Sequence, residues 1–464
     1  VFIRLGMGLF GAGLAGFLLV SVILGEAPGK RLVFWLRFWL GIGCGLGITS
    51  LHYFFWRLVA DPARGLFLIG EFLLLLILFG NYASASPADW VFLRGGPNLK
   101  NILKQPSLLA WVFLMVAGFA LLTHIVGFLK KPHGGWDAWM IWNLDARFLF
   151  RGGEYWQNLF APQLIHPDYP LMVPASVARL WSIMGKESIF APAVLGGIYA
   201  VSIIAVLVTA VRYLRGPRLG YIAGLALLGS AGFHFHAPTQ SSDFPLGLYI
   251  LGILVSINFY DSDEYSRPGF LVVAGLLAGL ATWTKNEGWL LLVALILARS
   301  VQAVFRQTAA NLWREARLFF GGLAPILALV LFFKLWFAPA NDLVAAWGPA
   351  TLENLLDANR YTSVAGEFLW QSVSLDPKIS TPFAMLPLLF LFFGFRKNGL
   401  KRPGVIVGLL VLAIMFAGYA IIFITTPHRL EWHLYTANAR LFLQLWPGAV
   451  FIVVLLLSDS AQQN

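Results

Sequence analysis

Charge is scarce in this sequence. Only 12% of its 464 residues are Asp, Glu, Lys or Arg, about half the share of an ordinary globular domain, while 59% are hydrophobic. Such a chain has too little polar side chain to cover a water-soluble surface, so a soluble fold is excluded. Disorder is excluded as well, because 39 Phe, 18 Trp and 13 Tyr are far more apolar surface than a solvated coil carries. Cysteine is nearly absent. Cys44 stands alone in an apolar stretch, so no intrachain disulfide exists and cysteine usage carries no signal about redox compartment. Low-complexity tracts, a strong internal repeat and a separate soluble module are also missing. No cleavable signal peptide is evident: the first 24 residues carry only Arg4 near their start and are long enough to remain as a span.

Acidic residues are the scarcer sign, 22 against 33 Lys and Arg, for a net charge of +11. A basic excess gathered in one stripe or module would point to nucleic acid. Here the cations are scattered between apolar segments, which reads instead as membrane topology and contact with anionic headgroups or phosphates. Nucleic acid is therefore not an expected partner.

Long apolar runs fill the rest. Stretches such as 319–337, broken only by Lys334, and 404–424 approach the ~20 residues that cross a bilayer. The pattern predicts an all-α polytopic membrane protein with about 13 transmembrane helices, near 1–24, 33–56, 65–83, 107–129, 188–211, 219–234, 244–260, 268–284, 288–304, 318–338, 381–395, 404–425 and 440–458. Alternate connections are basic: Lys30 and Arg31; Arg94, Lys100 and Lys104; Arg212, Arg215 and Arg218; Arg267; Arg306, Arg314 and Arg317; Arg396, Lys397, Lys401 and Arg402. Only the connection ending at Arg267 is diluted, by Asp261, Asp263 and Glu264, and acidic residues weigh little in the positive-inside rule. The N-terminus is then outside and the C-terminus cytoplasmic. The outer face receives two long connections, about 130–187 and 339–380. The first carries Lys130, Lys131, Arg147 and Arg151 against the trend, although long loops translocate largely regardless of charge. Residues 171–184 are spaced as an interfacial amphipathic helix. The expected organisation is one membrane domain over 107–464, preceded by a three-span addition over 1–106.

Five constellations fall on the predicted outer side. In the stretch from Gly134 to Arg147, Asp137 and Asp145 flank a patch containing Trp136, Trp139 and Trp142. If it is helical, 137, 141 and 145 share one face, and a carboxylate at the edge of a membrane cavity can act as general base. The alternative is a tryptophan belt with Asp137 as a helix cap. His166-Pro167-Asp168-Tyr169-Pro170 is a proline-fixed turn whose His and Asp can bind substrate or a cation, or satisfy their own backbone. Its spacing does not define a metal site, and none is predicted. Asp243 either N-caps a span or faces a substrate. Lys285 and Glu287, in a tight turn between spans, either pair with each other or line a cavity. Arg440, with His433 a few residues earlier, opens the final predicted span. A guanidinium there suits a phosphate, and snorkelling to the interface is the alternative. Carboxylates and cations gathered at one face suit deprotonation of an acceptor beside an anionic leaving group.

Taken together, Trp136-Asp137-Ala138-Trp139, His166-Pro167-Asp168-Tyr169-Pro170, Thr284-Lys285-Asn286-Glu287-Gly288 and the run from Trp432-His433 to Arg440 resemble the motifs of a bacterial branch of the GT-C membrane glycosyltransferases. That class includes protein O-mannosyltransferases and the lipid A aminoarabinose transferases. The resemblance covers about residues 107–458. It implies a polyprenyl-phosphate sugar donor, a glycan, lipid or protein acceptor, transfer with inversion, and an active site facing the periplasm from a bacterial inner membrane. It gives Asp137 the role of general base, with Asp145 as its acidic neighbour, and sets Lys285, His433 and Arg440 on the donor phosphate. Trp136, Trp139, His166, Asp168, Tyr169, Asp243 and Glu287 would line the substrate site. No cofactor is implied, and a divalent cation is neither required nor indicated. Two features depart from the family: the acidic loop follows the fourth span rather than the first, and the soluble C-terminal domain of the lipid A enzymes is missing. The competing readings are a lipid-diphosphate glycan ligase or polymerase and a transporter or flippase. A transporter expects its site near mid-membrane between repeats, and a ligase expects more than one arginine near the phosphates.

Overall fold

The computed structural model describes residues 2–25, 31–59, 66–85, 107–262, 264–306, 309–376 and 381–458. These are helices and their connections; the one strand-like feature among them is an isolated bridge between Phe395 and Leu457. Helices α1 (Phe2–Leu24), α2 (Arg31–Val59), α3 (Leu66–Ala85) and α4 (Leu108–Lys130) precede the first long connection, which folds into α5 (Asn143–Arg151) and α6 (Met172–Met184). Then come α7 (Phe190–Arg215), α8 (Pro217–Leu228), α9 (Ala231–His236), α10 (Asp243–Tyr260), α11 (Gly269–Thr284), α12 (Glu287–Arg306) and α13 (Ala309–Trp336). The second long connection holds α14 (Asp342–Ala345), α15 (Pro349–Leu356) and α16 (Ala358–Val373), and α17 (Leu389–Phe393), α18 (Pro403–Thr425) and α19 (Leu430–Leu456) follow.

Among the described residues ten helices are long and apolar enough to cross a bilayer, so the protein is an all-α, multi-pass membrane protein. The other three expected spans, 219–234, 268–284 and 381–395, coincide with shorter apolar helices over Pro217–Leu228, Gly269–Thr284 and Phe383–Phe393. The last span starts earlier than expected. Its helix begins at Leu430, so Arg440 lies in the third turn rather than at the helix mouth, and any attraction there of an anion to a helix N-terminus is lost.

The bundle is organised around α10. From Asp243 to Phe259 every side chain is buried, as befits a helix that is apolar on all sides. Its ends mark the two ends of the molecule. Asp243 and Asp261 are separated by about 27 Å of helix rise, close to the ~30 Å hydrocarbon thickness. The cations of the basic connections meet at the Asp261 end. Arg215 donates to the carbonyls of Leu455 (2.5 Å) and Leu457 (2.7 Å), and Arg267 donates to Leu24 O at 3.2 Å. Arg299 pairs with both Asp261 and Glu315. Lys30, Arg94, Lys100, Lys104 and Asp263 lie outside the described residues.

The first helices pack into the same core as the rest, through residues such as Leu36, Leu40, Cys44 and Phe54. The α1–α2 contact depends on small residues: a Cβ on Gly16 or Gly45 would fall 1.8 Å from the backbone oxygen of Gly41 or Ala12, so any larger residue forces the helices apart. These helices also correct the reading of 171–184. The segment is helical, but Ser176 and Arg179, its expected water-facing residues, are buried. Arg179 forms a bidentate pair with Glu71 of α3 (2.5 and 2.6 Å) and donates to Gly8 O of α1 at 3.1 Å. The polar face of α6 is therefore satisfied by protein, because α1 and α3 cover it where headgroups were expected.

Candidate active site

The Asp243 end of the bundle gathers residues from all five sequence constellations. Asp137 follows the Gly134-Gly135 turn, where Gly135 N donates to Thr239 O at 2.9 Å. The next residues, Ala138–Trp142, form a π-helical turn before α5, a feature common near functional sites. It breaks the expected common face of 137, 141 and 145, since a wider turn shifts the later residues around the axis. Asp137 is left half-buried and ion-paired with Arg440 of α19. Asp145 is buried beneath the segment, where burial with no compensating cation pushes its carboxyl well above the usual range. Trp136 and Trp139 remain about half exposed, as an interfacial pair would. Trp142 is buried and stacks on Tyr169 at 5.5 Å between ring centroids.

Asp243 does not cap its helix. Ser242 occupies that position, and Asp243 instead accepts from Lys285 Nζ at 3.0 Å and Gln444 Nε2 at 2.6 Å. Lys285 also pairs with Glu287 at 2.7 Å. Burial opposes its charge, but Asp243 and then Glu287 outweigh that and hold its ammonium above the usual lysine range. The turn that presents both residues requires Gly288, where a Cβ would come within 2.1 Å of Ala281 O. Gln444 spreads the network further: it donates to Glu287 at 3.4 Å and accepts from Tyr419 at 2.9 Å.

The His-Pro-Asp turn closes the site from the loop side. His166, at φ +51°, stacks on Tyr169 with centroids 4.4 Å apart and planes within 4°. Burial lowers the His166 imidazole from its usual value against the pull of Asp342 and Asp168, and burial also raises the Tyr169 phenol. Asp168 is held by three neighbours. Its Oδ2 accepts from Asn286 (2.7 Å) and Asn341 (2.9 Å), and Lys334 Nζ lies 3.7 Å away. His433 is bound to Thr426 Oγ1 at 2.9 Å and packs on Phe423. Tyr169 feels the charges of Lys285, Glu287, Arg440 and Asp168, and His433 those of Asp342, His166 and Arg440, so these groups occupy one region. Among the described residues no group of three or more His, Cys, Asp or Glu side chains is placed to hold a metal.

The cations differ in availability. The Lys285 side chain is 5% exposed and shared by two carboxylates. Arg440 is 24% exposed; its Nη1 meets Asp137 and its Nε donates to Thr436 O at 3.2 Å. Among the described residues its Nη2 has no hydrogen-bond partner, so both donors of that amino group are unused. Sequence reasoning missed several members of the site. Lys334, the one charge in an apolar run, was a legible signal, since ionisable groups within a membrane span mark functional or paired positions. Asn341, Gln444, Tyr419 and Arg360 carried none. Arg360 donates to Asn354 Oδ1 (3.1 Å), Phe423 O (3.2 Å) and Thr426 O (3.1 Å), with no carboxylate partner among the described residues.

The fold and site define a multi-pass helical membrane protein with an ion-paired, aromatic-walled site at one end of its bundle. No protein-family model and no curated protein matches the chain. Among solved structures it is similar to that of ArnT from Cupriavidus metallidurans bound to undecaprenyl phosphate, at 15% sequence identity and a TM-score of 0.45. The match covers 75% of this chain and 60% of that one.

Proposed function

We propose that this protein is a glycosyltransferase that moves a sugar from a polyprenyl-phosphate donor to an acceptor on the extracytoplasmic face of the membrane. The observation that carries the reading is the Asp137–Arg440 pair: a candidate base and a candidate phosphate ligand, partly exposed, each neutralising the other at rest. In this state the Asp137 carboxylate is committed to the guanidinium and is not free to face an acceptor. A donor phosphate is also a bidentate partner for arginine, and the unused Nη2 of Arg440 offers it a first contact. As the phosphate takes over Arg440, Asp137 is released toward the acceptor.

The transfer then balances simply. The acceptor hydroxyl or amine attacks the anomeric carbon from the face opposite the phosphate, the bond from that carbon to the phosphate oxygen breaks, and the acceptor proton passes to Asp137. Backside attack inverts the anomeric centre. The leaving polyprenyl phosphate carries its new charge on an oxygen held by Arg440, in a region with little water, where such contacts count most. Lys285 supports the phosphate from below through its charge, and His433 borders the same side. His166, Trp136 and Trp139 offer flat faces for the sugar and acceptor, and Tyr169, stacked between His166 and Trp142, backs them. Asp168 holds the loop to α12 and α13 through Asn286 and Lys334. Asp145, buried and inclined to stay protonated, is suited to positioning the segment.

Arg360 favours a second reading. A guanidinium whose acceptors are carbonyls and an amide retains its charge for a second phosphate, as a lipid-diphosphate glycan donor would need. The two readings separate in one assay: transfer from labelled polyprenyl-phosphate and polyprenyl-diphosphate sugars in membranes holding wild type or Asp137→Asn. Asp137-dependent release from the monophosphate supports the first reading. Release from the diphosphate alone supports the second, and turnover untouched by Asp137→Asn removes Asp137 as base.

A further inference from the structure

An apolar cleft lies away from the ion-paired site. It measures about 760 Å³ and lies between α1, α2, α4 and α7, with Phe233 and Ala237 at one end. Its walls are almost wholly apolar, with Phe17, Phe38, Trp39, Phe128 and Phe190 prominent. Those four helices are all long enough to span a membrane, so the cleft lies at hydrocarbon depth, where the available occupant is a lipid chain. Along α2 its lining runs from Phe34 to Leu46, about 18 Å of helix rise. That is close to the ~15 Å of hydrocarbon in one leaflet.

A polar pocket of about 140 Å³ adjoins the start of α7. Phe190 and Ala193 line the cleft, and their neighbours Ile189 and Pro192 line the pocket. His133, Asn143, Arg147 and Glu187 supply its polar groups. Arg147, which lines the pocket, and Arg151, just outside it, share the single carboxylate of Glu187 (3.4 and 2.5 Å), so these three groups carry one net positive charge beside the pocket. Asn143 is only 4% exposed; its Nδ2 donates to Gln240 at 3.1 Å, but its Oδ1 has no hydrogen-bond partner among the described residues. A buried acceptor left unpaired is costly, and this one borders a pocket.

We propose that cleft and pocket together bind one anionic glycerophospholipid, its chains in the cleft, its phosphate on Arg147 and a headgroup hydroxyl donating to Asn143 Oδ1. The net positive cluster favours an anionic headgroup, and the missing donor favours one with a free hydroxyl, as phosphatidylglycerol has and phosphatidylcholine lacks. This site is separate from the transfer site, and the proposal stands without the transferase reading. It places the lipid on the segment that carries Asp137, six residues before Asn143.

The test is native mass spectrometry of the full chain, stripped of lipid in detergent and titrated with phosphatidylglycerol, phosphatidylcholine or a polyprenyl phosphate. Wild type is expected to hold one phosphatidylglycerol, at least tenfold tighter than phosphatidylcholine. Val201→Trp, which fills the cleft from a position 42% exposed, should weaken both phospholipids about tenfold. Arg147→Gln, which leaves Glu187 paired with Arg151, should abolish the preference for phosphatidylglycerol and keep phosphatidylcholine binding. Melting temperatures of both variants near wild type show that loss of lipid is not loss of fold. Equal affinity of wild type for the two phospholipids, indifference to both variants, or preferred binding of the polyprenyl phosphate sensitive to Val201→Trp would each overturn the proposal.

Discussion

Two arginines, one at each end of the bundle, show how a site differs from a staple. Arg299 makes four hydrogen bonds to carboxylates: two to Asp261 (2.8 and 3.1 Å) and two to Glu315 (3.2 and 2.9 Å). Tyr260 adds a bond to the same Glu315 at 3.1 Å. With four of its five donors engaged and two carboxylates around one cation, the cluster is net negative and has little to offer an anion. Arg440 has one carboxylate, an unused amino group and partial exposure. Both residues are charged groups in a mostly apolar bundle, and burial alone does not separate them. What separates them is how completely the protein satisfies each, because a saturated group binds nothing further while an undersatisfied one is ready to exchange partners.

The sharpest way to break this contrast is to truncate both arginines. Arg440→Gln should lower transfer by roughly 10²–10³-fold, the scale for a lost group stabilising transition-state charge, with most of the protein still folded. Arg299→Gln should lower the yield of folded protein and its melting temperature, since it strands two carboxylates, while activity per folded molecule stays near wild type. Similar activity losses in the two variants would erase the distinction.

The next effect is at Lys285. Asp243→Ala removes the more deeply buried of its two carboxylate partners and is expected to cost about 3–5 kcal/mol, as when one member of a buried pair is lost. Adding Lys285→Met should recover part of that, because the uncompensated charge goes too. Chemical denaturation of the single and double variants measures the coupling, and additive losses would mean that the pair is not a unit.

Smaller effects follow from protonation. Burial holds His166 below its usual value of 6.5, so its neutral form belongs to the folded state. Stability from this group is complete above that value and is lost as pH falls below it, where the unfolded chain takes up the proton more readily. His166→Gln should flatten the fall in melting temperature between about pH 6.5 and 5. Asp145 has the opposite sign. Its raised carboxyl favours the folded state at low pH and loses that contribution as pH rises through its folded value. Asp145→Asn should therefore raise the melting temperature at neutral pH and have little effect in acid; a loss of stability at neutral pH would show that the carboxylate has a partner.

Much of this was readable from sequence for local reasons. A bilayer demands apolar runs of set length, so the positions of the spans were legible, and basic connections sorted the chain into two faces. That sorting drew Asp137, His166, Asp243, Lys285 and Arg440 to one side, where the structure brings them together. The pairings were not legible, because they join residues far apart in sequence: Asp137 with Arg440, Asp243 with Lys285 and Gln444, Glu71 with Arg179. The π-helical turn after Asp137 changes a register that regular helical spacing takes for granted. Burial of α6 depended on what α1 and α3 would cover, which its own periodicity does not reveal.

The account turns on competition between Asp137 and a phosphate for Arg440, so the measurement that tests it most directly is equilibrium binding of a polyprenyl phosphate to purified wild type, Asp137→Asn and Arg440→Gln. Removing the competing carboxylate should make Asp137→Asn bind the phosphate more tightly than wild type while transfer is lost, and Arg440→Gln should lose both. Binding to Asp137→Asn that is equal to or weaker than wild type would contradict the exchange at Arg440 and with it the proposed release of the base.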